Sequence, residues 1–166
     1  MCMNKAYLLL GGNMGNREQN LTIVRKYVQQ YCGRIIRSSS LYETAAWGKT
    51  DQPSFLNQVL EVETQLDAEH LIKQVLQIEK SMGRERKEKY GPRIIDIDIL
   101  LFNNEQYDLP FLKVPHPEMQ NRRFALTPLA EIASDLEHPV LKKSIGQLLK
   151  ECVDKLEVKK YITHLG

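Results

Sequence analysis

Short apolar runs separated by polar, glycine-bearing turns make up this chain, and their spacing alternates between strand and helix periods. Residues 6–10 form a continuous apolar run ending at Gly11-Gly12, the pattern of a buried strand entering a turn. A helix is predicted from about Asn16, which can cap it. Leu21, Val24, Val28 and Tyr31 follow at helical spacing, and Gly33 is a suitable stop. Residues 34–42 and 55–64 read as strands, the second alternating Val59, Glu61 and Glu63 against Leu60 and Val62. Between them, 43–54 is rich in Gly, Pro and polar residues and reads as a long loop. Asp67 suits the N-cap of a second helix, with Leu71, Ile72, Val75, Leu76, Ile78 and Met82 as its apolar stripe and Gly83 as its end. A basic loop, 84–93, leads into the strongest strand, 94–102, and Asn103-Asn104-Glu105 predicts a tight turn. Three prolines predict an extended segment over 110–117. Thr127-Pro128 predicts the opening of a short helix to about Ala133, residues 144–153 a last helix, and 158–162 a closing strand. Helices and strands mix without a regular βαβαβ rhythm. The fold class is therefore α/β of the α+β kind, a mainly antiparallel sheet with helices packed on it.

Composition narrows this picture. A chain of 166 residues, 42% hydrophobic, suits one domain spanning 1–166, since no repeat, low-complexity tract or linker divides it. With 23 basic and 21 acidic residues the net charge is +2, so the global basic field of a non-specific nucleic-acid binder is absent. Cys2, Cys32 and Cys152 lack metal-ligand spacing and read as free thiols in a reducing compartment. No apolar stretch approaches the roughly 20 residues that span a bilayer, and the N-terminus does not resemble a signal peptide. A cytoplasmic protein without a membrane or nucleic-acid partner is expected.

The chemistry concentrates in one segment. Along 94–102, strand alternation puts Ile95, Ile97, Ile99 and Leu101 on one apolar face, with Asp96 and Asp98 together on the other beside Ile94 and Leu100. Two carboxylates about 6.5–7 Å apart on so apolar a strand need a counter-charge unless they lie on a solvated edge. Mg²⁺ is the economical counter-charge, because it takes one or two carboxylates plus phosphate oxygens. Immediately upstream, residues 83–93 hold five basic residues against two acidic ones. Alone this reads as a solvated loop; beside a carboxylate pair it reads as the cationic half of a polyphosphate site. Gly11–Asn16 matches neither a P-loop nor a dinucleotide-binding turn, so its glycines serve a strand-to-helix turn or a close approach of backbone to ligand. His116 sits between two prolines that fix it cheaply, and Asn121-Arg122-Arg123-Phe124 adds two cations and a ring. Phe55 and Phe124 read by default as core, whereas Trp47, in a Gly- and Ala-containing loop, does not.

Taken together, these residues resemble the 6-hydroxymethyl-7,8-dihydropterin pyrophosphokinase family. The similarity rests first on Lys89-Tyr90-Gly91-Pro92-Arg93-Ile94-Ile95-Asp96-Ile97-Asp98-Ile99-Leu100. Leu10-Gly11-Gly12-Asn13-Met14-Gly15-Asn16, Asp51-Gln52-Pro53-Ser54-Phe55-Leu56-Asn57, Pro115-His116-Pro117 and Arg122-Arg123-Phe124 agree in order and spacing, covering roughly residues 5–135. The resemblance implies a ferredoxin-like three-layer fold and transfer of diphosphate from ATP to the hydroxymethyl group of 6-hydroxymethyl-7,8-dihydropterin, releasing AMP. It implies that Asp96 and Asp98 bind two Mg²⁺ ions and that Arg84 and Arg93 hold the transferring phosphates, assisted by Arg86, Lys87 and His116. Glu79 and the backbone near Ile99 would lie in the ATP region. Thr44, Trp47, Phe55, Asn57 and Phe124 would form the pterin pocket, the two phenylalanines sandwiching the heterocycle, and Asp98 would help deprotonate the alcohol. A monomer is expected, as is closure of segments 43–54 and 83–92 over ATP. Two other classes compete on the same residues: a metal-dependent nucleotidyl or glycosyl transferase using the D-x-D, and a ferredoxin-like regulatory or RNA-binding module with no use for the acidic pair.

Overall fold

The apolar run at 6–10 lies inside a nine-residue strand, β1 (Asn4–Gly12), near the middle of a six-stranded sheet. The computed structural model describes residues 3–45, 53–83 and 94–162. After β1 come α1 (Arg17–Tyr31), β2 (Arg34–Ser38), β3 (Tyr42–Thr44), β4 (Phe55–Thr64), α2 (Ala68–Ser81) and β5 (Asp96–Phe102). A hairpin of β6 (Tyr107–Leu109) and β7 (Leu112–Val114) follows, then a 3₁₀ turn (Met119–Asn121), α3 (Arg123–Ala133), α4 (Ile145–Glu151) and β8 (Val158–Lys160). The sheet runs β5-β1-β4-β3-β8, with β2 also paired to β4, and each of these pairings is antiparallel.

The chain passes from β1 through α1 to β2 across β4, and from β4 through α2 to β5 across β1, so both helices return over one face. There Leu21, Val24 and Val28 of α1 and Leu71, Val75 and Ile78 of α2 bury Leu8, Leu10, Leu60, Val62 and Ile97. The opposite face carries Tyr7, Leu9, Val59, Leu100 and Leu101 under α3 and α4. Each fully buried Leu or Val contributes about 1.5–3 kcal/mol relative to exposure. The result is the antiparallel sheet with packed helices that the residue pattern predicts, in the three-layer, ferredoxin-like form that the resemblance implies. Asn16, Asp67 and Ser144 cap α1, α2 and α4 through their side chains, accepting from the amides of Gln19, His70 and Gln147.

Among the described residues the structure departs from the residue pattern in several places. The strand expected over 34–42 is broken by Ser39–Leu41 into β2 and β3, and the Ser39 hydroxyl accepts the Val59 amide at the break. On β5, Tyr7 faces Leu101 while Leu8 faces Ile99, so Leu100 is a bulged extra residue. Parity therefore flips: Leu101 leaves the face of Ile95, Ile97 and Ile99 and packs under α3, while Phe102 takes the inner side. The extended segment 110–117 contains β7, and Pro110-Phe111 turn the hairpin instead. α3 begins at Arg123 rather than Thr127-Pro128, so Pro128 lies inside the helix and the Phe124 carbonyl lacks its i+4 donor. Leu76, assigned to the apolar stripe of α2, is 46% exposed. Gly33 has a different cause from the one expected. A Cβ there would sit 2.2 Å from the Glu63 carbonyl oxygen, so the chain needs glycine for a close approach to β4.

Glu61, on the polar alternation of β4, is buried all the same, accepting from the Tyr7 hydroxyl at 2.8 Å with Arg37 at 3.7 Å. Cys32 is a buried free thiol whose pKa burial pushes up to about 12, and Cys152 is half-buried and free; Cys2 lies outside the described residues. Among the described residues no helix is long and apolar enough to cross a membrane.

Candidate active site

Register across the sheet assembles the site. Asp96 of β5 faces Gly11 of β1, Gly11 faces Asn57 of β4, and Asn57 faces Tyr42 of β3. One step along, Asp98 faces Leu9 and Leu9 faces Val59, while Thr44 faces Phe55 at the end of the sheet. Directly opposed residues project to the same side. Asp96, Asp98, Asn57, Thr44 and Phe55 therefore share the face that α3 and α4 cover farther along through Leu9 and Val59. Neighbouring strands lie about 4.8 Å apart, so the acidic pair and the Asn57 amide are separated by about 10 Å. Between them runs Gly11, a stretch of floor without a side chain.

At the β4 end the pocket is built of satisfied polar groups. Asn57 is 3% exposed and donates from Nδ2 to the Thr44 hydroxyl at 3.0 Å. A Cβ on Gly11 would lie 2.5 Å from Asn57 Oδ1, so the missing side chain is what lets this carboxamide lean over β1. Its carbonyl can accept and its second amide hydrogen can donate to the edge of a flat heterocycle. Phe55 is half-buried beside it. Phe124, also half-buried, packs against the second core at the start of α3, with the Arg122 guanidinium 5.8 Å from its ring centre. Tyr42 is bonded to Glu131 of α3, which also accepts from the Ser40 amide and hydroxyl at 3.0 Å. Burial and the Glu131 carboxylate hold the Tyr42 phenol well above its ordinary pKa.

At the β5 end, Asp96 and Asp98 are both half-buried, and Ile97 between them points into the α1/α2 core. Glu79, buried on α2, accepts the Ile97 amide at 2.7 Å and so braces the strand between the two aspartates from the opposite face. Ile99 has its side chain in the α1/α2 core, which leaves only its backbone to face a ligand. The His116 amide donates to the Leu100 carbonyl at 3.0 Å, fixing the histidine loop along β5. Its Nδ1 accepts the Glu118 amide at 3.1 Å, so the neutral ring carries its proton on Nε2. Burial lowers the His116 pKa from the ordinary imidazole value, opposed by the Asp98 carboxylate and aided by Arg122. Among the described residues no group of three or more His, Cys, Asp or Glu could hold a metal by itself. Two half-buried carboxylates on one strand face fit a hard cation that completes its shell with phosphate oxygens and water.

Thus Asp96, Asp98, Thr44, Phe55 and Asn57 meet on one sheet face, with His116 laid along β5 and Phe124 opening the helix that covers this face. Glu79 lies behind β5. Trp47, Arg84, Arg86, Lys87 and Arg93 lie outside the described residues, as does most of segments 43–54 and 83–92 assigned to closure. Arg123 belongs elsewhere: its Nε and Nη2 donate to the carbonyls of Asp154 and Cys152, and its amide to the Asp154 carboxylate. Of the two cations read at 122–123, only Arg122 faces the ring. Sequence reasoning missed Asn13, Arg17, Glu131 and Asp154, whose partners lie 26–91 residues away and leave no local signal.

Three comparisons bear on this arrangement. The family model described as 7,8-dihydro-6-hydroxymethylpterin-pyrophosphokinase (HPPK) matches residues 7–134. The 2-amino-4-hydroxy-6-hydroxymethyldihydropteridine pyrophosphokinase of Bacillus subtilis is 43% identical over 135 residues, covering 81% of each chain. The protein of the same name from Aquifex aeolicus is 38% identical over 149 residues, covering 90% of this chain and 92% of its own. Among solved structures, wild-type HPPK-DHPS of Plasmodium falciparum superposes with a TM-score of 0.74 at 20% identity over 90% of this chain. This chain spans 45% of that one, and the likeness carries the fold.

Proposed function

The chain belongs to the 7,8-dihydro-6-hydroxymethylpterin-pyrophosphokinase family, a pyrophosphokinase of folate biosynthesis, and from that premise we propose how its residues move diphosphate from ATP to the pterin alcohol. The observation that carries this reading is the row across the sheet, Asp96–Gly11–Asn57, which sets a carboxylate pair and a buried amide on one face. Asn57 and Thr44 bind the polar edge of the dihydropterin, and Phe55, Phe124 and Trp47 close on its faces. Asp96 and Asp98 would hold Mg²⁺. When bound, the ion neutralises charge on the phosphate oxygens. Arg84 and Arg93 grip the transferring phosphates, with Arg86 and Lys87 adding charge and His116 donating from Nε2. Glu79 and the Ile99 backbone keep the edge of β5 in place beside ATP. The hydroxymethyl oxygen attacks the β-phosphorus, the bond from that phosphorus to the α–β bridging oxygen breaks, and AMP leaves with that oxygen. Asp98 takes the alcohol's proton. The reading is completed by a monomeric, single-domain catalyst in the cytoplasm, a setting that the free thiols of Cys32 and Cys152 suit.

Incubation with ATP and 6-hydroxymethyl-7,8-dihydropterin is expected to give AMP and pterin diphosphate in equal amounts, and a metal chelator is expected to stop both. ADP as product, or equal turnover with chelator, contradicts the reading. A second expectation concerns Gly11→Ala. The added methyl displaces a side-chain oxygen rather than backbone, so the melting temperature should fall by only a few degrees. Pterin affinity should weaken by about 1–2 kcal/mol, because the carboxamide leaves its place over β1. Isothermal titration with unchanged pterin affinity would remove Asn57 from the pocket.

A further inference from the structure

We propose that Arg17 is a positioning residue for the pterin pocket, acting on both strands that carry it from the opposite face of the sheet; this rests on the function proposed above. Arg17 is the first residue of α1, directly after the glycine-bearing turn 11–16. A single guanidinium nitrogen, Nη1, donates to Glu43 Oε2 at 2.7 Å and to the Ser54 carbonyl at 2.9 Å. Glu43 lies on β3 immediately before Thr44, and Ser54 immediately precedes Phe55, the residue Thr44 faces across the ladder. One nitrogen therefore ties the stems of two pocket residues together. Alternation puts the Glu43 side chain on the α1 side and Thr44 on the pocket side, so Arg17 acts through the backbone without touching the ligand.

The contact differs from an ordinary surface pair. The Arg17 side chain is only 22% exposed, and Tyr161, just past β8, lies against its guanidinium at 5.5 Å. Asn13, from the same turn, donates to the Pro53 carbonyl at 3.0 Å and adds a second hold on the β4 stem. The turn, which matches no nucleotide-binding motif, has its use here: it places Asn13 and Arg17 to fix the spacing of Thr44 and Phe55.

The test is steady-state kinetics of the full-length chain and its Arg17→Gln, Arg17→Lys and Glu43→Gln variants, with a melting curve for each. Arg17→Gln should raise KM for the pterin alcohol by about tenfold, the loss of a charge-assisted bond, with KM for ATP within twofold of wild type. Arg17→Lys, which keeps the charge, should recover part of that loss. Adding Glu43→Gln to Arg17→Gln should cost little more, since both remove one contact. Should Arg17→Gln fail to fold, Glu43→Gln alone reads the same split between the two KM values. A folded variant with unchanged pterin KM, or with both KM values raised equally, overturns the proposal while leaving the function standing. Wild-type protein that makes no AMP overturns both.

Discussion

Asp96→Asn is expected to lower turnover by at least two orders of magnitude while leaving the metal-free protein as stable as wild type or more so. The substitution keeps the shape of the side chain and removes one charge. In the presence of Mg²⁺ it deletes a hard oxygen ligand and its share of transition-state charge stabilisation, a loss of several kcal/mol. Without metal the sign reverses. Asp96 and Asp98 share one face of β5 at about 6.5–7 Å, where two like charges repel by about 0.6–2.5 kcal/mol between water-like and surface-protein dielectrics. Turnover with Mg²⁺ and a melting curve in chelator separate the possibilities. Near-normal turnover would make the pair a solvated strand face, and a large drop in metal-free stability would make Asp96 a structural partner instead.

Phe124→Ala is expected to weaken pterin binding by about 1–3 kcal/mol, or about 5–150-fold, from lost stacking and lost apolar contact. The ring is half-buried rather than sealed in the second core, so a substantial part of it is left to meet a ligand. ATP affinity should change less than twofold. Phe124→Leu, which keeps apolar bulk without a π face, should fall between the two. Direct titration with the pterin alcohol checks the series. A folded alanine variant that binds pterin as wild type does would return Phe124 to the core alone.

What could be read in advance divides along physical lines. β4 agrees with the sequence to the residue because its alternation is local, and the caps at Asn16 and Asp67 are local chemistry as well. The acidic pair was legible for the same reason: two residues apart on a strand is a fact of one segment. The parity flip at Leu100 was not, because a bulge is fixed by the partner strand. The β6–β7 hairpin hid behind Pro110, and α3 hid behind Pro128, which opens helices more often than it lies inside them. Asn57 and Phe55 were found through the resemblance. Only the register of β4 against β1 and β3 explains why they share a face with Asp96. Arg17 shows the limit most clearly, since its partners at 43, 54 and 161 come together only in the folded chain.

The central claim is that the acidic pair and the amide pocket are two ends of one site across Gly11. Replacing Mg²⁺ with Mn²⁺, in the presence of a non-hydrolysable ATP analogue and the pterin alcohol, turns that claim into a distance, read from paramagnetic relaxation of the bound pterin protons. The account predicts strong relaxation consistent with about 10 Å, two strand spacings, and its loss in Asp96→Asn. Weak relaxation corresponding to about 20 Å or more, four strand spacings, or strong relaxation that survives Asp96→Asn, would contradict it.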